Sequence, residues 1–191
     1  MEAASRLSVE RCADPSPPPL PSGCVLLYLY FFKPDCRSHE PNLTPFCSQM
    51  FDLMYAAKGA GLAAPQVGRS ERLIVFNEMG DERQWLNEMV LVNPRIVEKS
   101  PNTDVETEGC LSFPGMDGPV SRPVWVKVEA QTTNGQPFRK TFSGWEARLF
   151  QHEFDHLEGI MYVDHLGGAD RAEAQPVIDA LVRQFGSGGT L

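Results

Sequence analysis

The first clear pattern of apolar and polar residues predicts an amphipathic helix that begins near residue 44. Thr44 can serve as its N-cap, Pro45 suits the first helical position, and Gly59 ends the pattern. The apolar side chains that recur at helical spacing are Phe46, Met50, Leu53 and Met54. This stripe predicts a helix face packed into a hydrophobic core.

Runs of apolar, β-branched and aromatic residues predict strands after this helix. The runs are RLIVFN at 72–77, MVLVNPRIVEKS at 89–100, VWVKVEAQTT at 124–133 and PFRKTF at 137–142. Asn93-Pro94 is expected to break the second run into two strands. The third run alternates, with one face formed by Val124, Val126, Val128 and Ala130. Asn134-Gly135 predicts the hairpin turn that leads into the fourth run.

A second helix is predicted from Trp145 to Glu158, with Gly159 as its C-terminal stop. A weaker helical pattern follows Gly168, and Pro176 is expected to interrupt it. A helix, a meander of strands and another helix are typical of an α+β domain.

The length of 191 residues, with 42% hydrophobic and 22% charged residues, fits one globular domain with flanking segments. Residues 1–23 are predicted to form a proline-rich, disordered extension. Residues 24–168 are the predicted domain, and residues 169–191 a short tail with a helix. The apolar run at 25–32 is rich in Tyr, Phe, Leu and Val and predicts a strand. It is too short to cross a membrane, which needs about 20 residues.

The charge argues against nucleic-acid and membrane partners, and the cysteine content argues against a disulfide framework. The formal net charge is −8, and the chain has no run of Lys and Arg, so neither nucleic acid nor a membrane is expected to bind directly. The five cysteines form no Cys-x-x-Cys pair. A reducing compartment is therefore favoured over a disulfide framework.

The stretch QHEFDHLEG at 151–159 contains a candidate metal-binding motif. His152 and His156 lie one helical turn apart and can bind one ion, and Glu153 can accept a proton from a metal-bound water. A chance match is the alternative for a single motif of this kind.

A catalytic site needs a third protein ligand. Tyr162 occupies the position at which the long metalloprotease motif has a third histidine, and His165 is interpreted as a surface residue. His39 has no partner at a suitable spacing. Cys110, in ETEGCLSFPG, would complete a set suited to Fe(II) or Zn(II), although an inert core cysteine is the plain alternative.

Three stretches, GAGLAAPQVG, EGCLS and QHEFDHLEG, resemble in order and separation the signature motifs of peptide deformylases, most closely the bacterial and plastid-type branch. The resemblance covers residues 50–166. It implies antiparallel sheets packed around a central helix that carries the His-Glu-x-x-His motif. It also implies that Cys110, His152 and His156 bind Fe(II), which Zn(II), Ni(II) or Co(II) can replace.

The resemblance further assigns catalytic roles. Glu153 would act as general base on a metal-bound water and later protonate the departing amine. The side chain of Gln66 and the backbone N–H of Leu111 would donate hydrogen bonds to the developing oxyanion. A loop amide that caps backbone groups is the alternative for Gln66.

Four further residues are predicted to shape substrate binding. Gly59 and Gly61 let the backbone approach an extended peptide closely. Glu108 is expected to anchor the cysteine loop by pairing with Arg122, with two unrelated surface charges as the alternative. Leu149 is a candidate wall of a methionine pocket, or else ordinary helix core.

The implied reaction is the removal of the formyl group from the N-terminal formylmethionine of new polypeptides, with release of formate. The expected partners are nascent formylmethionyl peptides, with the ribosome exit region as a candidate contact. A plastid or mitochondrial location is expected, with a bacterial cytoplasm as the alternative. A zinc endopeptidase and an inactive metal-binding relative remain the competing functions.

The sequence departs from the family pattern at three places. Ala60 stands where a branched apolar residue is usual, and Asp117-Gly118-Pro119 replaces a stretch that helps to wall the cleft. YFFKPDCR at 30–37 resembles only part of the usual opening of the domain.

Overall fold

The computed structural model describes residues 43–185. The predicted extension at 1–23, the predicted strand at 25–32 and His39 lie outside these residues. The helices and strands are α1 (Leu43–Ala56), β1 (Gly61–Ala63), β2 (Leu73–Phe76), β3 (Met89–Lys99), β4 (Thr103–Gly109), β5 (Asp117–Pro123), β6 (Trp125–Gln131), β7 (Pro137–Ser143), α2 (Gly144–Leu157) and α3 (Gly168–Phe185).

The strands form two antiparallel sheets, which confirms the α+β class. Five strands lie in the order β1-β2-β3-β6-β7, and β4 and β5 form a separate hairpin. β1 pairs only with β2, so β1 is an edge strand of the larger sheet within the described part of the chain.

The predicted break at Asn93-Pro94 is wrong, because β3 is one continuous strand. The register against β6 shifts between Val92 and Arg95, and Asn93 adopts a positive φ of 50°. The Asn93 side chain also donates a hydrogen bond to Gln131 Oε1 at 2.9 Å. A bulge therefore accommodates the proline without ending the strand.

The alternating pattern in β6 is confirmed. Val126 and Val128 are fully buried and Ala130 nearly so, whereas Val124 precedes the strand. The turn to β7 contains Gly135 at φ 74°, as the Asn134-Gly135 pair predicts.

The two main helices occur where the pattern predicts them. α1 buries Met50 and Met54, but it already includes Thr44, which is therefore not its N-cap. α2 packs against strands of both sheets. It ends before Gly159, whose φ of 73° suits a glycine at a helix C-terminus.

An aromatic stack fixes α2 against the larger sheet. Phe150 lies 5.2 Å from Phe142 of β7 and 5.7 Å from Phe154 of its own helix, measured between ring centroids. Phe142 and Phe150 are completely buried. The helix that carries the histidines is thus held rigidly in the core.

The expected interruption of the C-terminal helix is wrong. α3 continues through Pro176, which lies on an exposed face. Pro176 has no backbone N–H to donate to the carbonyl of Ala172, four residues earlier, and Ala172 is also exposed. None of the helices between residues 43 and 185 has the length and apolarity that a membrane crossing requires.

Candidate metal centre

The end of β4 and the buried face of α2 bring together three side chains that could hold a metal ion. One ligand atom from each of Cys110, His152 and His156 lies within 4.8 Å of the other two. Cys110 Sγ is 3.3 Å from His156 Nε2, and all three residues are buried. Residues 46 positions apart in sequence thus form one cluster.

The surroundings of the cluster fit a bound cation. His152 Nδ1 bonds to a Glu108 carboxylate oxygen at 2.9 Å, which leaves Nε2 of the same ring available as a ligand. Buried polar atoms without a partner among the described residues include Glu153 Oε2 and His156 Nδ1. Such atoms indicate that a ligand, ion or water belongs nearby.

The electrostatics of the two histidines also favour one positive charge here. Burial alone would lower the pKa of His152, but interactions with Cys110 and Glu108 outweigh it and raise the pKa to about 10. Burial and the neighbouring His152 hold the pKa of His156 well below its usual value. The anionic groups that favour a proton on His152 would favour a metal cation in the same place, which would bind both rings in their neutral form.

Glu108 lies behind the cluster in a buried charge network. Arg122 donates to Oε1 at 2.6 Å and to Oε2 at 2.9 Å, and Arg148 donates to Oε1 at 2.7 Å. The predicted pair of Glu108 and Arg122 is confirmed, and the alternative of two surface charges is wrong. Despite burial, hydrogen bonds from His152 and Arg122 lower the pKa of Glu108 to about 2. Its role in substrate binding stays a prediction.

Arg148 and Asp155 extend this network and were not anticipated. Arg148 also bonds to Asp104 Oδ1 at 2.6 Å and to the carbonyl of Val120 at 3.0 Å. Asp155 Oδ2 lies 2.8 Å from both Arg122 and His165. One signal was available in the sequence, because a charged residue at 148 lies one turn before His152 on the buried face of the helix.

Glu153 lies beside the cluster and is almost completely buried. Burial raises its pKa to about 7. Gly61 of β1 packs directly against it, since a Cβ atom on Gly61 would lie 2.5 Å from Glu153 Oε1. A carboxyl group with a pKa near neutrality is well suited to act as a general base.

Gln66 lies in a short 3₁₀ helix that follows β1, from Ala64 to Val67. Its Oε1 accepts a hydrogen bond from the Ala63 N–H at 2.7 Å, so the expected backbone-capping role is present. Its Nε2 faces the cluster, 3.2 Å from Ser112 Oγ and 3.8 Å from Cys110 Sγ. Capping thus fixes the amide with its donor directed at the site, and Ser112, the last residue of the EGCLS stretch, is a further site residue for which the sequence predicted no role.

A cleft with a volume of about 1020 Å³ opens onto these groups. The predicted site residues that line it are Gly59, Gly61, Gln66, Glu108, Cys110, Leu111, Leu149, His152 and Glu153. His156 does not line the cleft. Leu149 lines the cleft and also belongs to the main core cluster, so core packing is confirmed and its place in a methionine pocket stays a prediction.

Residues that depart from the family pattern lie at or near the cleft. Ala60 and Asp117 both line the cleft, and Asp117 begins β5 opposite Gly109. A Cβ atom on Gly118 would lie 2.6 Å from Leu166 Cδ2, so the Leu166 side chain would have to move to accept one. Tyr162 packs beside His152 with ring centroids 6.3 Å apart, and its buried hydroxyl has no partner in the described part of the chain.

Comparison with known proteins identifies a family for this arrangement. The family model described as polypeptide deformylase matches residues 34–172. A chloroplastic peptide deformylase 1B from Solanum lycopersicum is 49% identical over 127 residues, which cover 66% of this chain and 45% of the tomato protein. A peptide deformylase from Chlorobium limicola is 44% identical over 144 residues, covering 74% and 77%. The matched part spans about half the length of the plant relatives.

Solved structures agree with the sequence comparison. The crystal structure of a peptide deformylase from Plasmodium falciparum superposes with a TM-score of 0.79 at 38% identity, covering 86% of this chain and 95% of that one. A mutant of Arabidopsis thaliana peptide deformylase 1B also gives a TM-score of 0.79, at 37% identity, covering 83% and 86%.

Proposed function

The chain belongs to the polypeptide deformylase family, and we propose on this basis that it removes the formyl group from the N-terminal formylmethionine of new polypeptides. The products would be formate and a free amino terminus. The observation that carries the proposal is the Cys110, His152 and His156 cluster with Glu153 and Gln66 beside it in one cleft.

Cys110, His152 and His156 would hold the metal ion, with Fe(II) as the proposed native ion and Zn(II), Ni(II) or Co(II) as replacements. A divalent cation supplies such a site with a water of lowered pKa and with polarisation of a carbonyl oxygen. Glu108 fixes the ring of His152 through Nδ1, and Arg122 and Arg148 keep that carboxylate charged.

Glu153 would accept the proton that water releases as it attacks the formyl carbon. The same carboxyl group would then donate the proton to the amine nitrogen as the C–N bond breaks. Its pKa of about 7, raised by burial, suits both transfers near neutral pH.

Gln66 and Leu111 would stabilise the negative charge that develops on the formyl oxygen. Nε2 of Gln66 is already directed at the site, because Ala63 holds the other end of the amide. The backbone N–H of Leu111 follows directly after the ligand Cys110. Fixed donors of this kind act without reorganisation during the reaction.

The cleft would bind the first residue of the substrate and the backbone that follows it. Leu149 and Phe113 offer apolar surface for a methionine side chain. The edge of β1 next to Gly61, which no strand of the described residues occupies, would accept the peptide as an added strand.

The proposed partners are nascent formylmethionyl peptides, and contact with the ribosome exit region is an extension of this proposal. Similar plant proteins are chloroplastic, and one from Arabidopsis thaliana is chloroplastic or mitochondrial. We therefore propose a plastid or a mitochondrion, with a bacterial cytoplasm as the alternative, since bacterial relatives match as well.

The test is formate release from formyl-Met-Ala-Ser by protein purified without oxygen and loaded with Fe(II) or Ni(II). The proposal predicts formate from this peptide, none from acetyl-Met-Ala-Ser at the same concentration, and loss of activity in Cys110→Ala. Cleavage of an internal peptide bond in place of formate release would instead indicate an endopeptidase.

A further inference from the structure

Lys58 provides an exposed positive charge at the rim of the cleft. It follows α1, adopts a positive φ of 57°, and its N–H donates to the Tyr55 carbonyl at 2.9 Å. Among the described residues that line the cleft, Arg148 is buried in the charge network, whereas Lys58 is exposed and makes no ion pair. No role in the reaction itself uses this ammonium group.

The burial of the chain around β1 sets the direction in which a bound peptide can leave. Gly61 lies against Glu153, and residues 62–64 beyond it are completely buried. In the other direction Ala60 and Gly59 are half-buried and Lys58 is exposed. A peptide with its terminal amide at Glu153 therefore leaves along residues 60, 59 and 58.

The separation along this path identifies the substrate residue that Lys58 can reach. Lys58 lies three positions before Gly61, in the turn that follows α1, so the two backbone positions are at most about 11 Å apart, the reach of a fully extended chain. An extended peptide whose first residue lies beside Gly61, at the edge of β1 that no strand of residues 43–185 occupies, places its third residue in this region. The four-carbon lysine side chain is long and flexible enough to meet an acidic group there.

Resting on the proposed function, we propose that Lys58 is a specificity-determining residue that favours formylated peptides with Asp or Glu at the third position. The rest of the protein would disfavour acidic peptides, since the net charge is −8 and Asp117 lies on the β5 side of the cleft. A lysine near a helix C-terminus also stabilises the helix dipole, which is the plain structural role to be distinguished.

The test compares kcat/KM for formyl-Met-Ala-Glu, formyl-Met-Ala-Gln and formyl-Met-Ala-Lys in the metal-loaded parent and in Lys58→Glu. We expect the parent to prefer the Glu peptide over the Lys peptide by about two- to fivefold, the effect of one exposed ion pair. Lys58→Glu should reverse the preference, and high salt should reduce it. Lys99→Glu, an equal charge change on β3 away from the cleft, should behave as the parent.

An identical Glu-to-Lys ratio in the parent and in Lys58→Glu would overturn the inference. A lower melting temperature for Lys58→Glu with that unchanged ratio would assign Lys58 to the helix end alone. Absence of formate from all three peptides would overturn the proposed function and this inference together. Formate from the Gln peptide with an unchanged ratio overturns only the role of Lys58.

Discussion

Close packing around Glu153 decides how the carboxyl group can act. The side chain is buried between α2 and β1, and burial raises its pKa to about 7. Gly61 leaves only the space that this carboxylate occupies. A glycine at position 61 therefore meets a steric requirement of the buried carboxylate.

The substitution Gly61→Ala tests this packing. The added methyl group would lie 2.5 Å from Glu153 Oε1, so the carboxylate must move. We expect kcat to fall by about 100-fold, because displacement of a catalytic group by about 1 Å has effects of that size. Metal content, measured by mass spectrometry, should not change. Gly168→Ala, where nothing lies within 4 Å, is the control, and equal activity of the two variants would refute the steric account.

The buried carboxylate of Glu108 gives the protein a defined dependence on pH. Its pKa of about 2 in the folded state is below the ordinary value of 4.5, so its contribution to stability is present above pH 4.5. The contribution is lost as the pH falls from 4.5 towards 2 and amounts to about 3 kcal/mol.

We therefore expect the difference in unfolding free energy between the parent and Glu108→Gln to shrink as the pH falls from 7 to 3. Urea unfolding at several pH values measures it. Glu98→Gln, which alters an exposed pair with Lys127, should show little difference at any pH. A constant difference for Glu108→Gln would contradict the assigned pKa shift.

The β4–β5 hairpin lies outside the larger sheet, and buried ion pairs connect it to α2. Arg122 on β5 bonds to Glu108 on β4 and to Asp155 on α2. Arg148 on α2 bonds back to Asp104 and Glu108 on β4. These contacts hold Cys110, at the end of β4, against the two histidines.

Arg122→Met should destabilise the protein by about 3–5 kcal/mol, because it leaves buried carboxylates without a partner. Combined with Glu108→Gln, the loss should be smaller than the sum of the two single effects by at least about 1 kcal/mol. Chemical denaturation of the metal-free proteins measures both. Arg139→Met, at an exposed pair with Glu129, is the matched control and should change stability by at most about 1 kcal/mol. Strictly additive losses of unfolding free energy would contradict a coupled ion-pair network between the β4–β5 hairpin and α2.

Local patterns predicted the elements well but not their connections. Alternation in β6 and the turn at Asn134-Gly135 are local signals, and both are confirmed. The break at Asn93 was predicted wrongly, because the bulge depends on a partner 38 residues away, Gln131. The predicted interruption of α3 at Pro176 is wrong for a similar reason, since an exposed helix face tolerates a proline that a buried face would not.

In the candidate site, too, local motifs were predictable from the sequence and contacts between elements were not. Three motifs with specific spacing indicated the cluster, Glu153 and Gln66. Arg148 and Asp155 could not be assigned their charged partners from the sequence, because Glu108, which pairs with Arg148, and Arg122, which pairs with Asp155, lie on other strands more than 30 residues away. The pair of Glu108 and Arg122 was open to two interpretations until their side-chain contacts were known, because the strand register places Asp104, not Glu108, opposite Arg122.

For the molecule as a whole, the fold gathers three motifs that span about a hundred residues into one cleft. Residues 59–68 include β1 and the segments on either side of it, residues 108–112 come from the end of β4 and the loop after it, and residues 151–159 from the last turns of α2 and its C-terminal end. The comparison with known deformylases covers this whole region, from residue 34 to residue 172.

The predicted boundary of the domain at residue 24 can be tested directly. If residues 1–23 lie outside the domain, deleting them should leave the melting temperature within about 2 °C and formate release within roughly twofold. Thermal unfolding and the formate assay on both proteins provide the comparison. A large fall in either quantity would place part of this segment in the folded domain.

The central claim is that this cleft hydrolyses the formyl group with Glu153 as the base. Its most direct test is formate release from formyl-Met-Ala-Ser by the parent and by Glu153→Ala, each loaded with the same metal to the same content. The account predicts an active parent and a loss of about 100-fold or more in the variant. A folded, metal-replete parent that releases no formate, or a variant as active as the parent, would contradict it.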